Sequence, residues 1–119
     1  MYQISEVSKL VGLSISTIRY YEKLGLIDTP IKNARGYKEY DEQIIQYLGF
    51  IVHLRDTEMP LDQIKTYVDA YKRNDYSSCY SILQEHEKRI ELELRKRLQI
   101  LEKVQYKISH FSNLKGGGK

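Results

Sequence analysis

The stretch from Ser78 to Phe111 restricts the fold more than any other segment of the chain. Leu94, Leu101 and Ile108 recur every seven residues in line with Glu87, and Leu83, Ile90, Val104 and Phe111 do so in line with Arg97. The positions between are dense in Glu, Lys and Arg, as in EHEKRIELELRKR, the pattern of a helix that buries one seam and solvates its other faces. Such a helix is roughly 50 Å long at 1.5 Å per residue. The bland alternative is that it folds back on its own domain, but the short elements before it offer little surface for so long a seam. Self-association through Leu83, Ile90, Leu94, Leu101, Val104, Ile108 and Phe111 is therefore expected. At 119 residues the chain is also short for burying a large core alone, which favours a second copy.

The amino-terminal part carries a different signal. Ile4, Val7 and Leu10 stand at helical spacing before Gly12, and after Ser14 the residues Ile15, Ile18, Tyr21 and Leu24 repeat that spacing before Gly25. Two short helices joined by a glycine turn make a helix-turn-helix, with Ile18 and Tyr21 inward and small Ser8 and Gly12 allowing a close crossing. Asp28 to Asp41 holds Pro30, Asn33 and Gly36 among Tyr37 and Tyr40 and reads as a loop or small β-hairpin, a wing. Beyond Asp41, an apolar stripe from Ile44 to Leu54 runs until Pro60, and Leu61, Ile64, Val68 and Tyr71 mark a further helix. The expected organisation is a mainly α chain. Residues 1–71 form a winged helix-turn-helix domain with its following helices, 72–77 a linker, 78–112 the dimerisation helix and 113–119 a disordered tail.

Charge follows the motif. From Ser16 to Lys38, Arg19, Lys23, Lys32, Arg35 and Lys38 outnumber Glu22 and Asp28, whereas Glu39 to Asp75 is net acidic. A total of +3 would by itself say little. With one cysteine, Cys79, there is no internal disulfide framework and no closed thiolate zinc site, and His53, His86 and His110 form no ligand cluster, so neither a metal nor a cofactor is expected. Cys79 stands beside the break before the long helix. A redox-sensing role is conceivable there, yet a lone cysteine without a basic activator is usually inert. No run approaches the roughly 20 apolar residues of a membrane span, and MYQISEV lacks the regions of a signal peptide, so a cytoplasmic protein is expected. No phosphate loop, nucleophile with base or paired acidic cluster points to an enzyme.

The run GLSISTIRYYEKLGLI, followed by RGYKEYDEQIIQYLGFI and MPLDQIK, resembles the MerR family of bacterial transcriptional regulators over about two thirds of the chain. The Arg19 to Glu22 cluster, the Gly25-Leu26 exit and the Arg35-Gly36-Tyr37 wing all stand in the family's order and spacing. The resemblance implies a homodimer joined by an antiparallel coiled coil. It also implies a pseudopalindromic promoter site between elements spaced too far apart for RNA polymerase, with activation by untwisting and bending the DNA. Lys38 stands where the family usually has arginine, and Glu58 where it usually has glycine. Metal-sensing members carry paired cysteines near the end of the dimer helix, which this sequence lacks; a thiol-sensing branch carries a cysteine where His53 stands here; drug-binding members append a whole effector domain. A small effector, or none, is what remains.

Within that frame the second helix enters the major groove of double-stranded DNA. Ser16 and Thr17, near its start, suit phosphate oxygens, and Arg19 can donate twice to guanine O6 and N7. Lys23 belongs to the same basic face. Tyr20, Tyr37 and Tyr40 can pack on sugar while donating to phosphate, with core packing the alternative, and Arg35 and Lys38 on the wing would neutralise backbone charge. The competing functional reading is an excisionase-like architectural protein that uses the same module without an effector response.

Overall fold

The computed structural model describes residues 1–116, with side chains described through residue 113. These residues separate into a unit spanning Met1–Tyr80 and a second beginning at Ser81.

In the first unit, α1 (Ile4–Val11) and α2 (Ile15–Lys23) are joined through Gly12. The backbone N–H of Gln3 donates to the Glu6 carboxylate at 3.0 Å, which fixes the start of α1. Gly12 sits at φ +74, and its N–H donates to the Ser8 carbonyl at 3.0 Å. A Cβ at Gly12 would meet nothing within 4 Å, so the residue is required by left-handed backbone and not, as its size suggested, by a close helix crossing. Ser8 bonds the Leu13 carbonyl with its hydroxyl. Val7, Ile18 and Tyr21 are buried as the spacing predicts, but Leu10 is 61% exposed. Three residues per step is 300°, so the third member of the Ile4, Val7, Leu10 series has drifted off the inner face.

The wing is a two-stranded antiparallel hairpin, β1 (Ile31–Lys32) against β2 (Lys38–Glu39), in the register Ile31 with Glu39 and Lys32 with Lys38. Asn33 builds its tip. The Asn33 side-chain oxygen accepts from the N–H of Arg35 at 2.9 Å and of Tyr37 at 3.1 Å, and Gly36 takes φ +82. Tyr2 and Tyr40 then exchange two backbone bonds of 2.8 and 2.7 Å, tying the start of the chain beside the hairpin.

Asp41 caps α3 (Glu42–Asp56) by accepting from the Ile44 N–H at 2.9 Å, and α4 (Leu61–Lys72) packs against α3. Ile44, Leu48, Ile51, Leu54, Met59, Ile64 and Val68 join Val7, Ile18 and Leu26 in one buried core. Outside it, Phe50 and Tyr71 meet edge to face at 4.6 Å, and Tyr47, Tyr67 and Tyr76 extend the aromatic cluster.

The long helix α5 runs Tyr76–Ser109. Its start is set by Asp75, whose carboxylate accepts from the Ser78 hydroxyl at 2.6 Å and the Ser78 N–H at 3.2 Å. The break between α4 and α5 is thus residues 73–75, shorter than the expected 72–77. In the second unit, Leu83, Ile90, Leu94, Leu101, Val104 and Ile108 are all exposed, Leu94 at 58% and Ile108 at 69%. At about 100° per residue Leu98 falls beside this stripe and Leu92 opposite it. Phe111, expected as the last seam residue of the same helix, instead begins a separate short helix, α6 (Phe111–Gly116), after a turn at His110. That helix also overlaps the first residues of the tail expected to be disordered over 113–119; residues 117–119 lie outside the described residues. No helix among the described residues is long and apolar enough to cross a membrane.

Candidate nucleic-acid interface

The start of α2 is organised by one hydroxyl. Ser14 accepts from the Thr17 N–H at 3.1 Å, and its oxygen lies 2.8 Å from the Thr17 hydroxyl and 3.1 Å from that of Ser16. Ser16 and Thr17 therefore present hydroxyls around a helix N-terminus, where unpaired N–H groups favour negative charge. The other end closes through Gly25 at φ +80, with the N–H of Gly25 donating to the Glu22 carbonyl at 3.0 Å and that of Leu26 to the Tyr21 carbonyl at 2.9 Å. These two hydrogen bonds end α2 abruptly and lead the chain into the buried pair Leu26 and Ile27.

Between these ends, burying Ile18 and Tyr21 leaves Ser16, Arg19, Tyr20 and Lys23 exposed on the opposite face, with Tyr20 at 51%. At the wing tip, Arg35 and Tyr37 are exposed, Tyr37 at 61%. Arg19, Tyr37 and Lys38 line a cavity of about 210 Å³ together with Gln3, Ile4 and Tyr40. No hydrogen bond or ion pair among the described residues engages the side chains of Arg19, Lys23 or Arg35. These three exposed cations, two on α2 and one at the wing tip, have no internal partner among the described residues, and such groups are suited to phosphate and base edges.

The geometry corrects one expected contact and gives a second an internal partner. Tyr40 is 1% exposed, and its hydroxyl points to Glu22 Oε1 at 3.4 Å; it is a core residue and not part of the contact surface. Burial, then the Glu22 charge, push the Tyr40 hydroxyl up to about 12, with the Arg19 charge pulling the other way. Lys38 is not a free wing cation. Its Nζ donates to Glu22 Oε2 at 2.7 Å, and the Glu22 side chain is only 11% exposed. Glu22 joins the wing to α2, a role with no local sign in the sequence because its partner stands 16 residues away. Ser14 at the start of α2 and Asn33 in the wing turn stand where the sequence reading put a helix start and a turn.

Cys79 is 5% exposed, with Sγ 3.6 Å from the Tyr67 carbonyl, and burial followed by the Asp75 charge raises its thiol. A raised, buried thiol is the reverse of what a redox sensor needs and fits the inert reading of Cys79. Among the described residues no group of three or more His, Cys, Asp or Glu side chains is placed to hold a metal ion.

Comparisons with known proteins match these features. A "Probable heavy metal-dependent transcriptional regulator" of Haemophilus influenzae is 36% identical over 108 residues, covering 91% of this chain and 83% of that protein. Among solved structures, a transcription regulator of Ralstonia metallidurans in complex with lead(II) superposes with a TM-score of 0.76 at 26% identity, over 92% of this chain and 87% of that one. EcmrR, solved by cryo-electron microscopy in complex with DNA, superposes with a TM-score of 0.73 at 25% identity, over 94% of this chain and 40% of that one. The model of the MerR HTH family regulatory proteins matches residues 2–71, from the strand-like Tyr2 to the aromatic Tyr71. Helix pair, wing, α3 and α4 all fall inside that match, and the chain belongs to the MerR helix-turn-helix family of regulatory proteins.

Proposed function

We propose that two copies of this chain bind a pseudopalindrome in a promoter spacer, each placing α2 in the major groove, and control transcription by distorting the DNA in response to a small effector or stress signal. Arg19 reads a base edge. Ser16, Thr17, Tyr20 and Lys23 on α2, with Arg35 and Tyr37 on the wing, hold the phosphate backbone. Pairing runs through Leu83, Ile90, Leu94, Leu101, Val104 and Ile108 in an antiparallel arrangement, which would set Glu87 and Arg97 against each other across the seam. In sequence order, residues 1–71 read DNA and 78–112 pair the copies. The partners are duplex DNA, the second copy and RNA polymerase at the promoter. The site of action is the cytoplasm, and the chain catalyses no reaction. Metal dependence, named for the Haemophilus influenzae relative, illustrates the effector class for that protein.

The observation that carries the reading is the exposed face of α2, where Arg19 and Lys23 have no internal partner among the described residues and the apolar positions of the same helix are buried. The test is fluorescence anisotropy with a duplex selected by the protein from a randomised pool, against a scrambled duplex of the same length. Arg19→Ala is expected to cost about 1 to 3 kcal/mol on the selected duplex and to relax the preference at one base step per half-site. An equal loss on both duplexes would overturn the base-reading role.

A further inference from the structure

Glu22 has a choice of cation, and the structure shows which one it takes. On α2 (Ile15–Lys23) the positions four and three residues before Glu22 are Ile18 and Arg19, so Arg19 is the cation that helix spacing brings to its face. Yet Glu22 bonds Lys38 at 2.7 Å from the wing and accepts from Tyr40 at 3.4 Å, while Arg19 has no partner among the described residues. The three groups are close: Arg19, Lys38 and Tyr40 line the same cavity. A carboxylate whose side chain is only 11% exposed is short of water and will hold whatever cation reaches it.

We propose that Lys38 is a positioning residue that acts by occupying Glu22, holding its carboxylate toward the wing and so leaving the Arg19 guanidinium free to read a base. This rests on the DNA-binding reading above and replaces the phosphate contact expected of Lys38 from the sequence. The Lys38 ammonium spends one of its three donors on Glu22 at 2.7 Å, so its charge is already partly offset before any phosphate approaches. Removing Lys38 would instead turn Glu22 into a competitor for Arg19, three residues away on the same face.

Four variants separate the roles: Lys38→Met, Glu22→Gln, the two combined, and Lys38→Arg. Each is measured on the selected and scrambled duplexes at several salt concentrations, with circular dichroism to follow folding. Lys38→Met is expected to lose roughly tenfold or more of the discrimination between the duplexes, as for loss of a two-bond base contact. Glu22→Gln alone keeps the discrimination, the combined variant recovers it with a wild-type salt slope, and Lys38→Arg retains it. If the combined variant stays weak and its salt slope falls by about one per subunit, Lys38 is a phosphate contact and the proposal fails. If Glu22→Gln or the combined variant is weak with an unchanged slope, the pair only anchors the wing and the proposal fails too. Should Lys38→Met not fold, the combined variant, which carries no unpaired carboxylate, is read in its place: discrimination with a wild-type salt slope supports the proposal, and a slope lower by about one per subunit overturns it. Failure of the wild-type protein to enrich any duplex from the pool would overturn the DNA-binding reading itself, a result distinct from all of these.

Discussion

Glu58 carries the largest backbone conflict that the structure exposes, and relieving it has a calculable effect. It holds φ +63 at the end of α3, where its N–H donates to the Arg55 carbonyl at 2.8 Å and the Met59 N–H to the Leu54 carbonyl at 3.4 Å. The same two bonds close α2 around Gly25 and α4 around Asn74, which has φ +60. Glycine and asparagine tolerate that conformation, whereas glutamate meets its Cβ clash there, at about 1–2 kcal/mol. Glu58→Gly removes the clash but returns roughly 0.4–1 kcal/mol of freedom to the unfolded chain. The net expectation is a gain of about 0.5–1 kcal/mol, a rise in Tm of roughly 2–8 °C for a domain of this size. Glu58 is exposed, so few contacts are lost with its side chain. Unfolding should be followed by circular dichroism at a fixed protein concentration, because subunit association shifts the midpoint by mass action. Glu58→Ala is the control: it deletes the carboxylate, keeps the Cβ and should leave the midpoint near its starting value. Equal midpoints for the Gly and Ala variants would refute the strain argument.

Further outcomes follow from other elements. Replacing Leu94 and Leu101 together with Glu should give monomers by sedimentation velocity and sharply weaker duplex binding; an unchanged sedimentation coefficient would remove the seam from the interface. Cys79 should resist thiol reagents in the folded protein and react at a rate that tracks unfolding as urea is added, and prompt labelling in buffer would contradict its burial. The Asp75 carboxyl is held below its ordinary range, by the Ser78 hydroxyl first and the Ser78 N–H next. Its contribution is therefore complete above the ordinary aspartate range and is lost as the pH falls through the depressed value; Asp75→Asn should flatten that acid limb of a stability-against-pH curve. Tyr40 behaves oppositely. Its hydroxyl is raised from 10.0 to about 12, so its contribution is complete below pH 10 and fades above it, and Tyr40→Phe should reduce the alkaline loss of stability.

What could be read from the sequence was whatever a helix repeats locally. Ile18 and Tyr21 inward with Arg19 and Tyr20 outward follow from 3.6 residues per turn, and the stripe of Leu83, Ile90, Leu94 and Leu101 follows from the same geometry over more turns. Contacts made across the chain left no such trace. Tyr40 resembles an exposed wing residue beside Lys38 until its backbone is seen paired with Tyr2, which buries the ring. Lys38 looks like a free cation until Glu22 is placed opposite it. Phe111 continues the heptad in spacing but not in space, because the turn at His110 ends the helix that would carry the register forward. Gly12 ends α1 in left-handed backbone, as its place after the apolar repeat predicts, but the close crossing also expected of it finds no neighbouring atom.

The open apolar stripe along α5 bears on dosage. Under the pairing proposed above, the competent species is a product of two chains, so at low abundance its amount grows as the square of the chain concentration. Doubling synthesis would then raise promoter occupancy about fourfold until pairing saturates. The rate at which the cell makes this chain is thereby an input to the switch, alongside any effector.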